Sequence, residues 1–304
     1  MPGIATILVT YNPDLAAFAQ VLQRHADTGA ARYVIVDNAS AQANEIEALA
    51  RQLLPEGRVS VLRQSSNIGL GAALNLGTDD ARAAGCSHVV LFDQDSLPAS
   101  DTLACLLKAL QGLQAQGVKV GVVGPSQTDV RTGAEYPQRL VRGQTMAMIW
   151  PSREPGTAIE VSFLITSGSL IDISTLDTVG PMRADFFIDY IDIEWCFRAA
   201  SQGFRSYCIK AAHIQHALGD QRRVFLGREV SVHSAVRQYY MFRNVLALSR
   251  LRTVPLRFRV VETLYFMSRA PAFFWLSGCS AKHLRHMLLG IAHGLTGRMG
   301  PLQR

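Results

Sequence analysis

Two carboxylates at the end of an apolar run are the strongest candidates for chemistry in this chain. Residues His88–Phe92 predict a strand that is buried on both faces, and Asp93 and Asp95 follow where that strand should end. Because side chains alternate along a strand, Asp93 and Asp95 leave it on one side while Gln94 points away. Such a pair repels unless a cation lies between the two groups, and Mg²⁺ or Mn²⁺ takes oxygen ligands of this kind. The motif therefore predicts a divalent metal site, and its alternative is a polar loop that happens to carry two acids.

The elements that must position these carboxylates alternate regularly along residues 1–124. Apolar strands are predicted at residues 4–10, 33–36, 59–62, 88–92 and 118–123, with a helix after each of the first four. This alternation predicts an α/β protein with a mostly parallel sheet and helices on both faces. Ligands of such sheets bind beyond the carboxyl ends of the strands. Polar residues follow four of the strands at that edge and predict a shared rim: Thr10, Tyr11, Asp37, Asn67, Asp93 and Asp95.

The second half of the chain carries a further acidic cluster. Residues 125–158 are predicted to be surface loop or irregular strand, and residues 161–165 to be a strand. We interpret Asp189 as the N-cap of a helix and place Asp192 in its first turn, where the helix dipole keeps a carboxylate ionised. Glu194 and Arg198 are spaced to form an ion pair on the outer face of that helix. An ionised carboxylate at the rim is what a general base requires, so Asp192 is the candidate base; its alternative role is a second cap.

Composition narrows the classes of protein that fit. The 304 residues are 48% hydrophobic and 18% charged, which is enough apolar material for a sizeable core. The five cysteines are scattered without C-x-x-C spacing, which argues against a disulfide framework or a zinc site and favours a reducing compartment. The N-terminus leads directly into a strand, so no secretory signal is expected.

The basic residues behind the net charge of +6 crowd the last third of the chain. Three helices are predicted after Glu229, with breaks near Pro255 and Gly278. No stretch there reaches the ~20 apolar residues of a bilayer span. Basic helices with aromatic residues favour a membrane surface. The alternative is that these helices pack on the catalytic domain or form a homodimer interface.

Taken together, the motifs resemble family 2 glycosyltransferases of the GT-A fold, and most closely the bacterial rhamnosyltransferases. The segments that carry the resemblance are Val9–Pro13, Val36–Ser40, Asn67–Asn75, Phe92–Ser96, Ser167–Leu170, Phe187–Trp195, Arg237–Tyr240 and Arg243–Asn244. The match covers about residues 4–250. The Asp-Gln-Asp-Ser form of the metal motif, together with the Phe-Ile-Asp-x-x-Asp-x-Glu run that begins at Phe187, is what points to rhamnose. One departure is that many relatives carry Glu-Asp where this chain has Ile191-Asp192.

The resemblance implies a GT-A catalytic domain over residues 1–228, with a nucleotide-sugar half at 1–124 and an acceptor and base half at 125–228. A basic amphipathic helical region follows at 229–304. The implied reaction is inverting transfer of L-rhamnose from dTDP-L-rhamnose to a hydroxyl of a glycan or glycolipid, with Mg²⁺ or Mn²⁺ as cofactor and no nucleic acid partner. The implied location is the cytoplasm, at the inner face of the bacterial cell membrane.

The resemblance also assigns roles to particular residues. Asp192 would be the catalytic base. Asp93, Asp95 and His216 would hold the metal, although a structural role is the alternative for His216. The nucleotide sugar would be bound by Thr10, Tyr11, Asn12, Asp37, Asn67, Gly69, Asn75, Asp93, Gln94 and Arg243. The alternative for Arg243 is a solvated helix face.

Three rival functions use the same residues differently. Another nucleotide sugar, such as a UDP-hexose or a galactofuranose donor, fits the same motifs. A dinucleotide-binding oxidoreductase would use Gly69 and Gly71, but Leu74 stands where the third glycine belongs and the run follows the third strand instead of the first. A non-enzymatic membrane-surface protein would leave the acidic rim unexplained, because those carboxylates repel phosphate without a metal.

Overall fold

A computed structural model describes residues 3–129, 132–216, 221–225 and 228–303 of the protein. Its first half alternates strands and helices in the predicted order. The elements are β1 (Ile4–Thr10), α1 (Leu15–Ala26), β2 (Arg32–Asp37), α2 (Ala43–Leu53), β3 (Val59–Arg63), α3 (Leu70–Ala83), β4 (His88–Asp93), β5 (Leu97–Pro98) and α4 (Thr102–Ala115). Strands β3, β2, β1 and β4 lie side by side and are parallel, as predicted.

Every residue of β1 is buried because helices cover both faces of the sheet. Alternate residues enter two different core clusters. Ile7 and Val9 pack with residues of α3, while Ile4 and Leu8 pack with Phe18 of α1. The continuous apolar sequence of β1 therefore follows directly from its position between two helical layers.

Strand register brings the polar residues to one edge of the sheet. Thr10 lies opposite Asp37, and Val9 lies opposite Asp93. The carboxyl ends of β1, β2 and β4 therefore form one row, which confirms the predicted rim.

The second half of the chain turns the sheet into a mixed one. It contributes β6 (Val120–Asp129), β7 (Gln138–Arg142), β8 (Thr145–Ile149), β9 (Ala158–Val161), β10 (Ser169–Asp172), α5 (Ile173–Val179), α6 (Ile191–Ser201) and β11 (Arg205–His216). Strand β10 runs antiparallel between β4 and β6. The region predicted to be irregular thus contains the extension of β6 and the β7–β8 hairpin.

The strand predicted at residues 161–165 is wrong in position, since β9 ends at Val161. The amide of Ser162 donates to the carbonyl of Arg139 in the hairpin, and the Ser162 hydroxyl accepts from the amide of Val141. Phe163 and Leu164 then pack into the core from a loop. Hydrophobic periodicity does not distinguish an apolar run that enters the core as a strand from one that enters it as a loop.

The C-terminal part comprises β12 (Gln221–Phe225), β13 (Arg228–Val232) and the helices α7 (Ala235–Leu248), α8 (Leu256–Leu276) and α9 (Ala281–Thr296). The predicted breaks near Pro255 and Gly278 are confirmed. Phe258 and Phe273 of α8 join the core cluster that also holds Ile7 of β1. Among the described residues, no helix combines the length and apolarity of a membrane span. The domain division at residue 228 stays a prediction.

Helices α7 and α9 approach closely because two glycines face α7. A Cβ atom at Gly290 would overlap the carbonyl oxygen of Tyr239, and one at Gly294 would lie 2.9 Å from the carbonyl oxygen of Arg243. The packing therefore depends on the absence of side chains at these positions.

We predict that Gly290→Ala lowers the free energy of unfolding by about 2–3 kcal/mol, because the backbone of α7 cannot move aside without disturbing the core. Gly112→Ala in α4 is the matched control, since a Cβ there meets nothing within 4 Å and alanine favours the helix. Urea denaturation of both variants measures the difference. Equal stability of the two variants would show that α9 is free to shift.

Candidate active site

Asp37 is the buried anchor of the rim. Its Oδ1 accepts a hydrogen bond from the Thr10 hydroxyl at 3.1 Å, and its Oδ2 accepts from the amide of Ser40 at 3.2 Å. The residue is fully buried. Asp37 therefore fixes the ends of β1 and β2 relative to each other, and its predicted role in nucleotide-sugar binding stays a prediction.

The loops after β1, β2 and β4 are tied together by side-chain amides. The amide N–H of Tyr11 donates to Gln94 Oε1 at 2.7 Å, which joins the β1 loop to the β4 loop. Asn12 adopts a φ of 46°, donates from its amide to the Ser40 hydroxyl, and accepts from the amide of Ala41. Tyr11 is left half exposed at the rim. Asn12 and Gln94 thus fix the loop that carries the Tyr11 ring at the rim.

Asn67 and Gly69 shape the loop that precedes α3. The side-chain amide of Asn38 donates to Asn67 Oδ1 at 3.0 Å, and the amide of Ile68 donates to Asn38 Oδ1. Gly69 has a φ of 83°, and a Cβ there would lie 2.7 Å from the carbonyl oxygen of Phe187. Its lack of a side chain is therefore needed for close approach to the segment around Phe187.

Asn75 contacts the backbone of Met182, and its predicted role in nucleotide-sugar binding stays a prediction. Its side-chain amide donates to the carbonyl of Met182 at 2.8 Å and accepts from the amide of Met182 at 2.9 Å. Because both ends of the side chain are engaged, Asn75 holds the backbone near Met182 against α3.

Asp93 and Asp95 stand at the end of β4, as predicted. Asp95 is exposed, and Asp93 is partly buried. The amide of Asp93 donates to the Ser167 hydroxyl at 3.1 Å, whereas no donor to its carboxylate is found in the described part of the chain. An unpaired carboxylate beside a second one suits a hard divalent cation whose remaining ligands come from a diphosphate or water.

The described side chains at this site do not supply a full set of metal ligands. Within the described ranges, no group of three or more His, Cys, Asp or Glu side chains has metal-binding geometry. His216 ends β11, and its side chain lies outside the described residues. The residues that fit a metal are therefore Asp93 and Asp95.

Asp192 lies in the first turn of α6, as predicted. Its Oδ2 accepts from the amide of Thr166 at 3.1 Å and its Oδ1 from the amide of Ile193 at 2.8 Å. Desolvation raises the pKa of Asp192 from its ordinary value of 3.8 to about 6, and the nearby charge of Asp93 adds to this rise. A carboxylate with this pKa accepts a proton near neutral pH more readily than an ordinary aspartate does.

One loop connects the two acidic groups. Thr166 holds Asp192, and the adjacent Ser167 holds the amide of Asp93 and also bonds to the Ser96 hydroxyl. The candidate base and the Asp93–Asp95 motif are thus attached to consecutive residues. The sequence motifs include Ser167 but give neither Thr166 nor Ser167 a role. Only the position of these two residues before β10 could have indicated one.

The N-cap prediction for Asp189 is wrong. The residue before α6 is Tyr190, and Phe187, Asp189 and Tyr190 adopt φ values of 67°, 63° and 66°. Asp189 instead forms an ion pair with Arg237 of α7 at 3.1 Å. A chain that reverses through three left-handed residues cannot present Asp189 as a cap, because capping requires extended backbone.

The predicted pair of Glu194 and Arg198 forms, with two contacts of 3.0 Å. Its predicted place on the outer face is wrong, since Glu194 is 2% exposed. Arg198 also donates to the carbonyls of Val179 and Pro181, so the pair joins α6 to the end of α5.

The alternative that Arg243 lies on a solvated helix face is wrong, because the residue is fully buried. Its predicted role in nucleotide-sugar binding stays a prediction. Its guanidinium donates to the carbonyls of Phe186 at 2.7 Å, Asp185 at 3.1 Å and Gly300. The neighbouring Asn244, which sequence reasoning gave no role, donates to the carbonyls of Phe186, Ile188 and Asp189. We call these two residues the α7 clamp; they hold the left-handed segment that leads to Asp192.

The chain is similar in sequence to known proteins. A family model described as glycosyl transferase family 2 matches residues 6–175. The dTDP-rhamnosyl transferase RfbF of Shigella flexneri is 25% identical over 298 residues, which are 98% of this chain and 97% of that protein.

Solved structures share the fold at low sequence identity. S. aureus TarS residues 1–349 in complex with UDP-GlcNAc has a TM-score of 0.58 and 16% identity, over 97% of this chain and 81% of that chain. GalNAc-T7 with UDP, GalNAc and Mn²⁺ has a TM-score of 0.56 and 14% identity, over 91% of this chain and 58% of that chain. This chain therefore spans less than two thirds of the GalNAc-T7 chain. The predicted GT-A fold with a C-terminal helical region is confirmed.

We predict that wild type loses stability relative to Asp192→Asn as the pH rises from 4 to 7.5. The folded-state pKa of about 6 lies above the ordinary value, so the stabilising contribution of the protonated carboxyl is present below pH 3.8 and is lost as pH rises through 6. The relative change should approach about 3 kcal/mol. Urea denaturation of both proteins across this pH range measures it, and a pH-independent difference would contradict the raised pKa.

Proposed function

The chain belongs to glycosyl transferase family 2, and from that premise we propose that it transfers L-rhamnose from dTDP-L-rhamnose to a hydroxyl group of a glycan or glycolipid. The observation that carries the proposal is the attachment of Asp192 and Asp93 to the consecutive residues Thr166 and Ser167. This arrangement holds a proton acceptor beside a carboxylate pair suited to a metal-bound diphosphate.

The near full-length similarity to the Shigella flexneri enzyme, a dTDP-rhamnosyl transferase, supports the choice of donor. Thr10, Tyr11 and Asp37 lie at the carboxyl ends of β1 and β2, the edge at which ligands of such sheets bind, which supports a nucleotide base there. The exposed Tyr11 ring offers a face for stacking on that base.

Asp192 would remove the proton from the acceptor hydroxyl as the hydroxyl oxygen attacks the anomeric carbon. The bond from that carbon to the diphosphate oxygen breaks in the same step, and the electron pair leaves with the nucleoside diphosphate. Attack opposite the leaving group inverts the configuration and needs no covalent intermediate. The raised pKa of Asp192 suits this role, because the conjugate acid forms readily near neutral pH.

Asp93 and Asp95 would hold Mg²⁺ or Mn²⁺ against the diphosphate. The bound cation supplies Lewis-acid stabilisation of the charge that develops on the leaving group. Without a cation, the unpaired carboxylate of Asp93 would repel the donor. Gln94 would have a structural role, since its contact with Tyr11 fixes the β4 loop, which carries Asp93 and Asp95, relative to the β1 loop.

A screen of purified protein against several nucleotide sugars tests the donor. We expect dTDP-L-rhamnose to be turned over fastest, with transfer to an acceptor or slow hydrolysis as the readout. Faster turnover of UDP-glucose, UDP-galactose or UDP-galactofuranose would identify a different donor for the same fold.

We predict that Asp95→Ala lowers turnover of dTDP-L-rhamnose by at least about a hundredfold, because a lost ligand removes several kcal/mol of charge stabilisation. Its melting temperature should stay near that of wild type, since Asp95 is exposed. Glu56→Ala, which removes an exposed carboxylate from the loop before β3, is the control and should retain full activity.

Chelation by EDTA should abolish activity of wild type, and added Mn²⁺ or Mg²⁺ should restore it. Near-normal turnover by Asp95→Ala, or activity that survives chelation, would show that Asp95 holds no metal.

A further inference from the structure

Charge is distributed very unevenly along this chain. Residues 230–303 contain ten arginines and lysines and a single acidic residue, Glu262. Glu262 is 6% exposed, and it pairs with Arg139 and accepts from the Tyr190 hydroxyl. The described surface of this part of the chain therefore carries positive charge with no exposed carboxylate of its own.

Helix α8 adds exposed apolar side chains to this basic surface. Leu256, Val260, Leu264 and Trp275 fall within an arc of about 100° on the helix, because spacings of four, four and eleven residues advance the angle by about 40°, 40° and 20°. They are 60%, 48%, 63% and 66% exposed. Arg257 is exposed beside them, and the Arg269 guanidinium lies 4.0 Å from the centre of the Tyr265 ring.

Helix α9 also carries exposed apolar and basic side chains. Leu284, Leu288 and Leu295 are exposed, and Lys282 and Arg285 are exposed next to them. These side chains have no acidic partner among the described residues. We call the exposed apolar and basic residues of α8 and α9 together the α8–α9 surface.

We propose that the α8–α9 surface docks on an anionic lipid bilayer. Apolar side chains that enter the headgroup region, surrounded by cations that contact lipid phosphates, are what an interfacial helix requires. A second copy of this chain is a poorer occupant, because a symmetric contact would place like charges opposite one another. Nucleic acid would leave the exposed leucines and Trp275 without a partner.

The buried face of α8 connects this surface to the candidate active site. Glu262 accepts a hydrogen bond from Tyr190 at 3.1 Å, and Tyr190 directly precedes the helix that carries Asp192. A docked α8 would therefore hold the base at a fixed orientation to the membrane, where a lipid-borne acceptor would arrive. That consequence rests on the proposed function, whereas the docking itself does not.

Sedimentation of the full chain with vesicles tests the docking. The probes are vesicles of phosphatidylglycerol and phosphatidylcholine in equal parts, with phosphatidylcholine alone as the uncharged comparison. We expect binding to the anionic vesicles at low salt and release at about 0.5 M NaCl, where the Debye length falls well below 10 Å. Fluorescence of Trp275 should shift to shorter wavelength on binding, and Trp275→Phe should abolish that shift.

Two sets of variants separate the apolar and electrostatic contributions. Arg257→Gln, Arg269→Gln and Lys282→Gln combined should weaken partitioning by about a hundredfold, at roughly fivefold per residue. Leu264→Gln with Trp275→Gln should also weaken it. Arg24→Gln with Lys119→Gln removes two exposed charges from the sheet-bearing half, and this control should bind like wild type.

The proposal is overturned if wild type stays in the supernatant at low salt, or if both sets of variants sediment as wild type does. It is also overturned if wild type is a dimer in lipid-free solution and Leu264→Gln with Trp275→Gln is a monomer. Turnover of the nucleotide sugar is measured separately without lipid, so a wrong donor and an absent membrane contact give distinguishable results.

Discussion

The α7 clamp is the contact on which the candidate active site depends. Residues 185–190 reverse direction through three non-glycine residues with positive φ, at a cost of about 1–3 kcal/mol each. Such a segment persists only where its surroundings fix it. Arg243 and Asn244 engage the carbonyls of Asp185, Phe186, Ile188 and Asp189, which would otherwise be buried without donors or turn toward water. The start of α6, and with it Asp192, is therefore set by a helix more than forty residues later in the chain.

The loop at residues 166–167 then sets the electrostatics of the site. It brings Asp192 near Asp93, and the carboxylate charge of Asp93 adds to the desolvation that raises the pKa of Asp192. A cation bound by Asp93 would act in the opposite direction and favour the ionised base. Binding of a cation at Asp93 and ionisation of Asp192 would thus be linked through the contacts of Ser167 and Thr166.

Local patterns predicted the first half of the fold because its interactions are local in sequence. Each of β1, β2 and β4 is an apolar run whose end is marked by Asp or Asn, and parallel pairing of consecutive units follows from their alternation. The same reasoning failed at Asp189 and Arg243, where the deciding partners lie 48 and 57 residues away. A carboxylate before a helix and an arginine on a helix have ordinary local explanations, and only the tertiary contacts contradict them. Ser162 is a further case, because its bonds to the hairpin end β9 before the apolar run is finished.

The uneven distribution of charge along the chain would orient the molecule at an anionic bilayer. Residues 1–229 contain 19 basic and 23 acidic residues, so the half that carries the acidic rim is net negative while the helices after it are strongly positive. An anionic bilayer would attract the proposed α8–α9 docking surface and repel the net-negative remainder, which would favour one way of approach over all others. Because Glu262 joins α8 to Tyr190 at the start of α6, that approach would also fix how Asp192 faces the membrane. With a cation bound, the rim would accept the anionic donor, and a docked α8 would keep the enzyme beside a membrane-borne acceptor.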